Sequence, residues 1–302
     1  MALKRFFLIL FFLSLVNYSW SADNSLPNSP GTKETKASDQ QIGDFSLSGF
    51  GDKGKKSWDL AGKSADVFND VVKLKKVVGN NYADKDSLNL TADKGDFNKT
   101  SGVVHLEDNV IITTSSGAKL TTDSLDWDRK KQIVSTLDKV NLNQQDMNLS
   151  GVGAHGETAL KQVVLEKNVR LDMEPLNKQK NQKEKISVIC DGPLEVDYEK
   201  NIAIFNKNVK VEKPDLTIYS DKMQVYFTPK SDGAAKPGSE AAVMSSAISK
   251  IVGEGNVRII RGDNISYSQE VLYTAADKKI ILTGRPQIII YQTENANATL
   301  GD

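Results

Sequence analysis

From Ile42 onward, almost every segment of this chain alternates apolar with polar residues and ends at Gly, Asn, Asp or Pro. GVVHLEDNVIITT, AKLTTDSLDWD, QVVLEKNVRLDM, NIAIFNKNVKVEK and DLTIYSDKMQVYF are typical. A period of two places successive side chains on opposite faces of a strand. Short runs of this kind, punctuated by turn residues, predict an all-β sandwich or roll. SADVFNDVVKLKKVVG also fits a helical spacing through Val67, Val71, Leu74 and Val78, but its valine content favours strand.

Two elements recur within the alternation. In the first, Asn-Val is followed by an apolar residue two positions on: Asn109-Val110 with Ile112, Asn168-Val169 with Leu171, Asn208-Val209 with Val211, and Asn256-Val257 with Ile259. Asn tolerates turn and left-handed backbone, so each Asn is expected to end one strand before the next begins. In the second element, an apolar residue and two small or polar residues lead to Asp: Leu90 to Asp93, Leu120 to Asp123, and Ile218 to Asp221. Ile265 to Ser268 is a weaker copy. The Asp is read as a turn or bulge residue that offsets two strand halves. The intervals are irregular, which excludes a fixed-period solenoid.

Lys plus Arg and Asp plus Glu both number 39, so the chain lacks the basic excess of a nucleic-acid binder. Lys4 and Arg5, the apolar run FFLILFFLSLV and small residues at Ser19 and Ser21 have the order of a secretory signal over 1–21. An uncleaved anchor stays open. One cysteine, Cys190, cannot build an intrachain disulfide framework, so packing and strand pairing must stabilise an exported chain. Cys190 itself reads as a small buried hydrophobe. Polar stretches mark a flexible lead-in at 22–41, a linker or long hairpin tip at 176–185, a disordered loop at 229–247 and a tail at 292–302. They leave β units at 42–175 and 186–291.

The ordered series LTADKGDF, VHLEDNVIITTSSGAKLTTDSLDWD and VVLEKNVRLDM resembles the LptC group of periplasmic lipopolysaccharide-export proteins. LEVDYEKNIAIFNKNVKVEKPDLTIYSDKMQVYF, with KIVGEGNVRIIRGDNISYSQEVLYTAADKKIILTGRPQIII, resembles the related LptA (OstA-like) domain. The resemblance implies two consecutive antiparallel, twisted, open β-jelly-rolls, the first LptC-like and the second LptA-like. It implies a non-enzymatic periplasmic carrier, with no cofactor and no metal, that takes lipopolysaccharide from an inner-membrane ABC transporter towards the outer membrane. Lipid A acyl chains would lie in an apolar groove, and other Lpt β-jelly-roll proteins would join edge to edge by β-augmentation.

Inward candidates for such a groove are Val110, Ile112, Leu120, Trp127, Val169 and Leu171 in the first unit. In the second they are Val209, Val211, Leu216, Ile218, Met223, Val225, Val257 and Ile259. The same residues also read as an ordinary packed core, the reading under which the chain is a structural or interaction β-protein of the envelope without lipid cargo. In GRPQIIIYQ, Pro286 cannot donate to a ladder, so the strand after it is expected at a sheet edge. Ile288, Ile289 and Ile290 would there meet a partner strand or be covered within the fold. His105 and His155 complete no catalytic or metal pattern, and DKDSLNLTADKGD lacks the Gly and terminal Glu of a calcium loop.

Overall fold

The computed structural model describes residues 40–290 except 51–53, 83–86, 116, 129, 132, 158–161, 175, 178–181, 184, 198, 229–246, 275 and 277–278. The expected signal at 1–21, the tail at 292–302, and nearly all of the lead-in at 22–41 and the loop at 229–247 lie outside the described residues.

Among the described residues the chain is all-β, with no α-helix. It divides into two compact units, Met1–Thr136 and Leu137–Asp302. In the first, β1 (Gln40–Phe50), β2 (Lys56–Val67), β3 (Val71–Asn81), β4 (Leu88–Asn98), β5 (Val103–Thr114) and β6 (Lys119–Asp128) pair in chain order, each antiparallel to the next. β7 (Ile133–Gln144) contains the division between the units.

The second unit continues with β8 (Met147–Glu157) and β9 (Gln162–Met173), followed by a small hairpin of β10 (Leu176–Asn177) and β11 (Gln182–Lys183). That hairpin occupies the polar stretch at 176–185. Next come β12 (Ile186–Cys190) and β13 (Leu194–Asp197), which lie end to end between β9 and β14 (Ile202–Lys213). β15 (Leu216–Thr228), β16 (Ala247–Arg261) and β17 (Asn264–Thr274) extend the antiparallel order. β18 (Lys279–Thr283) and β19 (Gln287–Ile289) both pair with β17, forming one interrupted edge strand. This sequential antiparallel topology is that of the open β-jelly-roll class.

The recurring Asn residues do not end strands, which corrects the expectation from sequence. β5, β9, β14 and β16 run straight through Asn109, Asn168, Asn208 and Asn256. All four Asn have positive φ, between 47° and 54°. At all four the ladder slips by one residue, as in the steps from Glu107 to Val110 and from Lys167 to Arg170. These are β-bulges, with two residues on one strand opposing one on its neighbour. Asp108 (φ 62°), Lys207 (φ 64°) and Gly255 (φ 74°) share the bulges with the Asn that follows. The turns lie elsewhere, as at Pro214–Asp215 between β14 and β15. Asn208 and Asp221 therefore shape bulges within strands, not turns between them.

Each bulge drives the next valine inward. Val110, Val169, Val209 and Val257 are at most 2% exposed, the four most deeply buried apolar side chains among the described residues. Burying a valine is worth about 1.5–3 kcal/mol, so the bulge line is a main source of stability in each unit. Three of these valines face a small hydroxyl residue: Val110 opposes Thr122, Val209 opposes Ser220, and Val257 opposes Ser268. Val77 opposes Ala92 in the same way. A small residue opposite each valine leaves room for it; Ala92, Thr122 and Ser220 come one position before the Asp of the second sequence element, and Ser268 comes before Gln269.

Candidate functional site

The fold sorts the candidate groove residues into two sets. Val110, Trp127, Val169, Val209, Met223, Val225 and Val257 are buried, at 9% exposure or less. Trp127 lies in the cross-strand row Val72–Phe97–Val104–Trp127. Met223 lies in the row Leu165–Leu194–Phe205–Met223. These are core positions within single units.

Ile112, Leu120, Leu171, Val211, Leu216, Ile218 and Ile259 are only half-buried. All lie beyond the bulge line, toward one end of their strands. Pairing aligns most of them into rows that run across the strands. In the first unit the row is Leu47–Leu60–Gly79–Leu90–Ile112–Leu120. In the second it is Leu149–Leu171–Val188–Val211–Ile218–Ile259, one residue from each of six strands. Neighbouring strands sit about 4.8 Å apart, so the second row extends roughly 24 Å. Leu216 continues the face one step beyond Ile218, opposite Lys213.

Polar residues beside the bulges fix this arrangement. Asn109 Nδ2 donates to Asp93 Oδ2 at 2.8 Å, and Lys76 Nζ donates to Asp93 Oδ1 at 2.8 Å. The Lys76 bond, then that of Asn109, holds the Asp93 carboxyl below the usual carboxylate range. Asn208 Nδ2 donates to Asp191 Oδ2 at 2.6 Å, and Asn256 Nδ2 to Asp221 Oδ2 at 2.8 Å. At two bulges the two sequence elements meet, Asn109 holding Asp93 and Asn256 holding Asp221, while Asn208 holds Asp191 just beyond the end of β12. His105 Nδ1 and Asp126 Oδ1 lie 2.6 Å apart, as do His155 Nδ1 and Glu166 Oε1, both pairs half-exposed on strand surfaces. Cys190 is buried, and burial pushes its thiol pKa up, away from the reactive thiolate.

Ile288, Ile289 and Ile290 are 62%, 42% and 69% exposed, respectively. Ile280 and Ile281 of β18 are 45% and 48% exposed. Among the described residues, β18 and β19 pair with β17 on one side and with no strand on the other. Sequence reasoning did not anticipate that the interruption between them is itself a bulge. Gly284 (φ 79°) and Arg285 (φ 61°) take the place that Asp108 and Asn109 hold in β5. The shared one-residue slip is visible only once the partners are known.

Two family descriptions match the chain in succession. "Lipopolysaccharide-assembly, LptC-related" covers residues 7–174, and "LptA/(LptD N-terminal domain) LPS transport protein" covers residues 193–302. Together with the all-β fold, they define a periplasmic protein of the lipopolysaccharide-transport class. The first match takes in more than half the chain, and the chain belongs to the LptC-related lipopolysaccharide-assembly family. Among solved structures, it is similar to LptH, the LptA-homologous periplasmic component of the lipopolysaccharide transport device of Pseudomonas aeruginosa. That similarity is 11% in identity, with a TM-score of 0.26, over 59% of this chain and 96% of the other. A search of the curated proteins finds no match.

Proposed function

We propose that this chain is a non-enzymatic lipopolysaccharide carrier whose half-buried apolar rows hold the lipid A acyl chains. The observation that carries the reading is the row Leu149–Leu171–Val188–Val211–Ile218–Ile259, most of it half-buried and lying next to the closed valine line. A stripe of this kind gains about 0.8 kcal/mol for each acyl methylene it buries. Because the attraction has no direction, a chain can slide along the row without breaking specific bonds. The groove residues are Ile112, Leu120, Leu171, Val211, Leu216, Ile218 and Ile259, with the deeply buried candidates forming its floor.

In this reading the chain receives its cargo from the inner-membrane ABC transporter complex and passes it towards the outer membrane. Ile288, Ile289 and Ile290 contact the next Lpt β-jelly-roll protein by β-augmentation. The chain enters the periplasm through the signal at 1–21, cleaved or kept as a tether. It combines an LptC-like stretch at 42–175 with an LptA-like stretch at 186–291, a division supported by family matches that stop at residue 174 and resume at residue 193, whereas the compact units of the fold divide after Thr136.

The test places a photo-crosslinking residue at Val211 or Ile218 in cells. Lipopolysaccharide adducts at these positions support the carrier. Adducts confined to Lys210, whose side chain lies on the opposite face, point instead to an envelope β-protein without lipid cargo.

A further inference from the structure

The second unit has a cavity of about 810 Å³ on the polar face of its C-terminal edge. It is built on the cross-strand row Tyr219–Arg258–Tyr267–Gln287, from β15, β16, β17 and β19. Arg285 and Gln269 add to its lining at the last bulge. This row is separate from the apolar row, because Arg258 and Ile259 are neighbours in β16 and point to opposite faces.

The chemistry of the lining is specific. No carboxylate is among the lining residues, yet two arginines are. The Arg258 guanidinium stacks on Tyr219, with Cζ 4.2 Å from the ring centroid, and its buried Nε has no hydrogen-bond partner. The adjacent carboxylates are engaged elsewhere: Asp221 accepts from Asn256, Glu254 from Gln224, and Glu270 from Thr283. Lys210, on the other side of Tyr219, is held by Glu212. Tyr267 is 39% exposed and lines the cavity with its aromatic side chain. Gln269 and Gln287 supply amide donors and acceptors.

We infer that this cavity binds a phosphorylated saccharide. Two guanidinium groups with no carboxylate partner among the described residues suit the oxygens of a phosphate. The Tyr267 face suits the apolar face of a pyranose ring, and the glutamines suit its hydroxyls. A bare anion would leave the ring face and the amides unused, and a neutral sugar would leave the arginines unpaired. The site stands on its own residues and does not depend on lipid in the apolar row.

The test is calorimetric titration of the full chain with glucose 1-phosphate, glucose, inorganic phosphate and a delipidated, phosphorylated lipopolysaccharide core oligosaccharide. Glucose 1-phosphate binds at least tenfold more tightly than glucose or phosphate alone. Arg285→Asn and Arg258→Gln each weaken it by tenfold or more with the melting temperature unchanged, and the exposed Arg285 serves if Arg258→Gln does not fold. A core oligosaccharide that binds more tightly than glucose 1-phosphate assigns the site to a lipid headgroup, and one that does not assigns it to a free sugar phosphate. Equal affinity for phosphate and glucose 1-phosphate, or no saturable binding, overturns the inference. Either failure leaves the crosslinking result at Ile218 untouched.

Discussion

The side-chain amide of Asn256 donates to Asp221 Oδ2 at 2.8 Å, across the bulge between β15 and β16. Asn is suited to the position because its own φ is 47°. Alanine there loses a hydrogen bond to a charged acceptor and pays for left-handed backbone as well. Asn256→Ala is expected to lower unfolding stability by about 2 kcal/mol in urea. Asn256→Gly, which keeps the backbone but not the bond, should cost less. Equal losses in the two variants would show that the backbone strain is not felt there.

The buried and half-buried halves of each strand should respond differently to truncation. Val209→Ala empties a site only 1% exposed and should cost about 2 kcal/mol. Ile218→Ala removes more carbon from a half-buried position, so its cost per methylene should be smaller. Its main effect is expected on the lipopolysaccharide that copurifies with the protein. A stability loss at Ile218 matching that at Val209 per methylene would make it core.

The edge formed by β18 and β19 offers a test of partner pairing. Ile288 is 62% exposed, so Ile288→Lys should leave the melting temperature within a few degrees. A charge on an edge strand discourages pairing with another sheet, and crosslinked complexes with other Lpt proteins should disappear. Undiminished complexes would place the joint at a different edge.

Acid should destabilise the first unit through Asp59. Burial alone would raise its pKa, but hydrogen bonds from Lys56, Asn80 and Tyr82 outweigh burial and hold it below the usual value. A group whose folded pKa is depressed stabilises the fold above its unfolded pKa, about 3.9. That contribution is lost as pH falls through the lower, folded value. Thermal melts from pH 5 downward should therefore show a decline that Asp59→Asn flattens. An equally steep decline in the variant would assign the effect to other carboxylates.

Much of the fold could be read from alternation alone, because a period of two needs only the identities of near neighbours. Met223 and Val225, two residues apart, share a face as alternation expects, and both lie in one buried cluster. What alternation hid was the bulge. A strand carrying Lys207 at φ 64° gives no sign of it, since lysine is not a left-handed residue by preference. The Asn beside it was visible but read as a turn, because the two share one local backbone and differ only in what pairs beyond them. The cavity was less accessible still. Tyr219 and Arg285 lie far apart in sequence, and only the accumulated register of four strands brings them together.

The bulge at Gly284 and Arg285 also constrains whatever adds to the free edge. From Tyr267 to Glu270, β17 advances three residues while its partner advances four, from Gln287 back to Thr283. Within the sheet, the strand beyond such a step then advances by one residue fewer: β6 covers two residues where β5 covers three. The same arithmetic applies to an incoming strand, which must absorb that offset or lose its hydrogen bonds on one side of it. The exposed edge is therefore a gauge as well as a template. Backbone pairing alone would accept almost any extended peptide, but the step admits those whose spacing is cut to match.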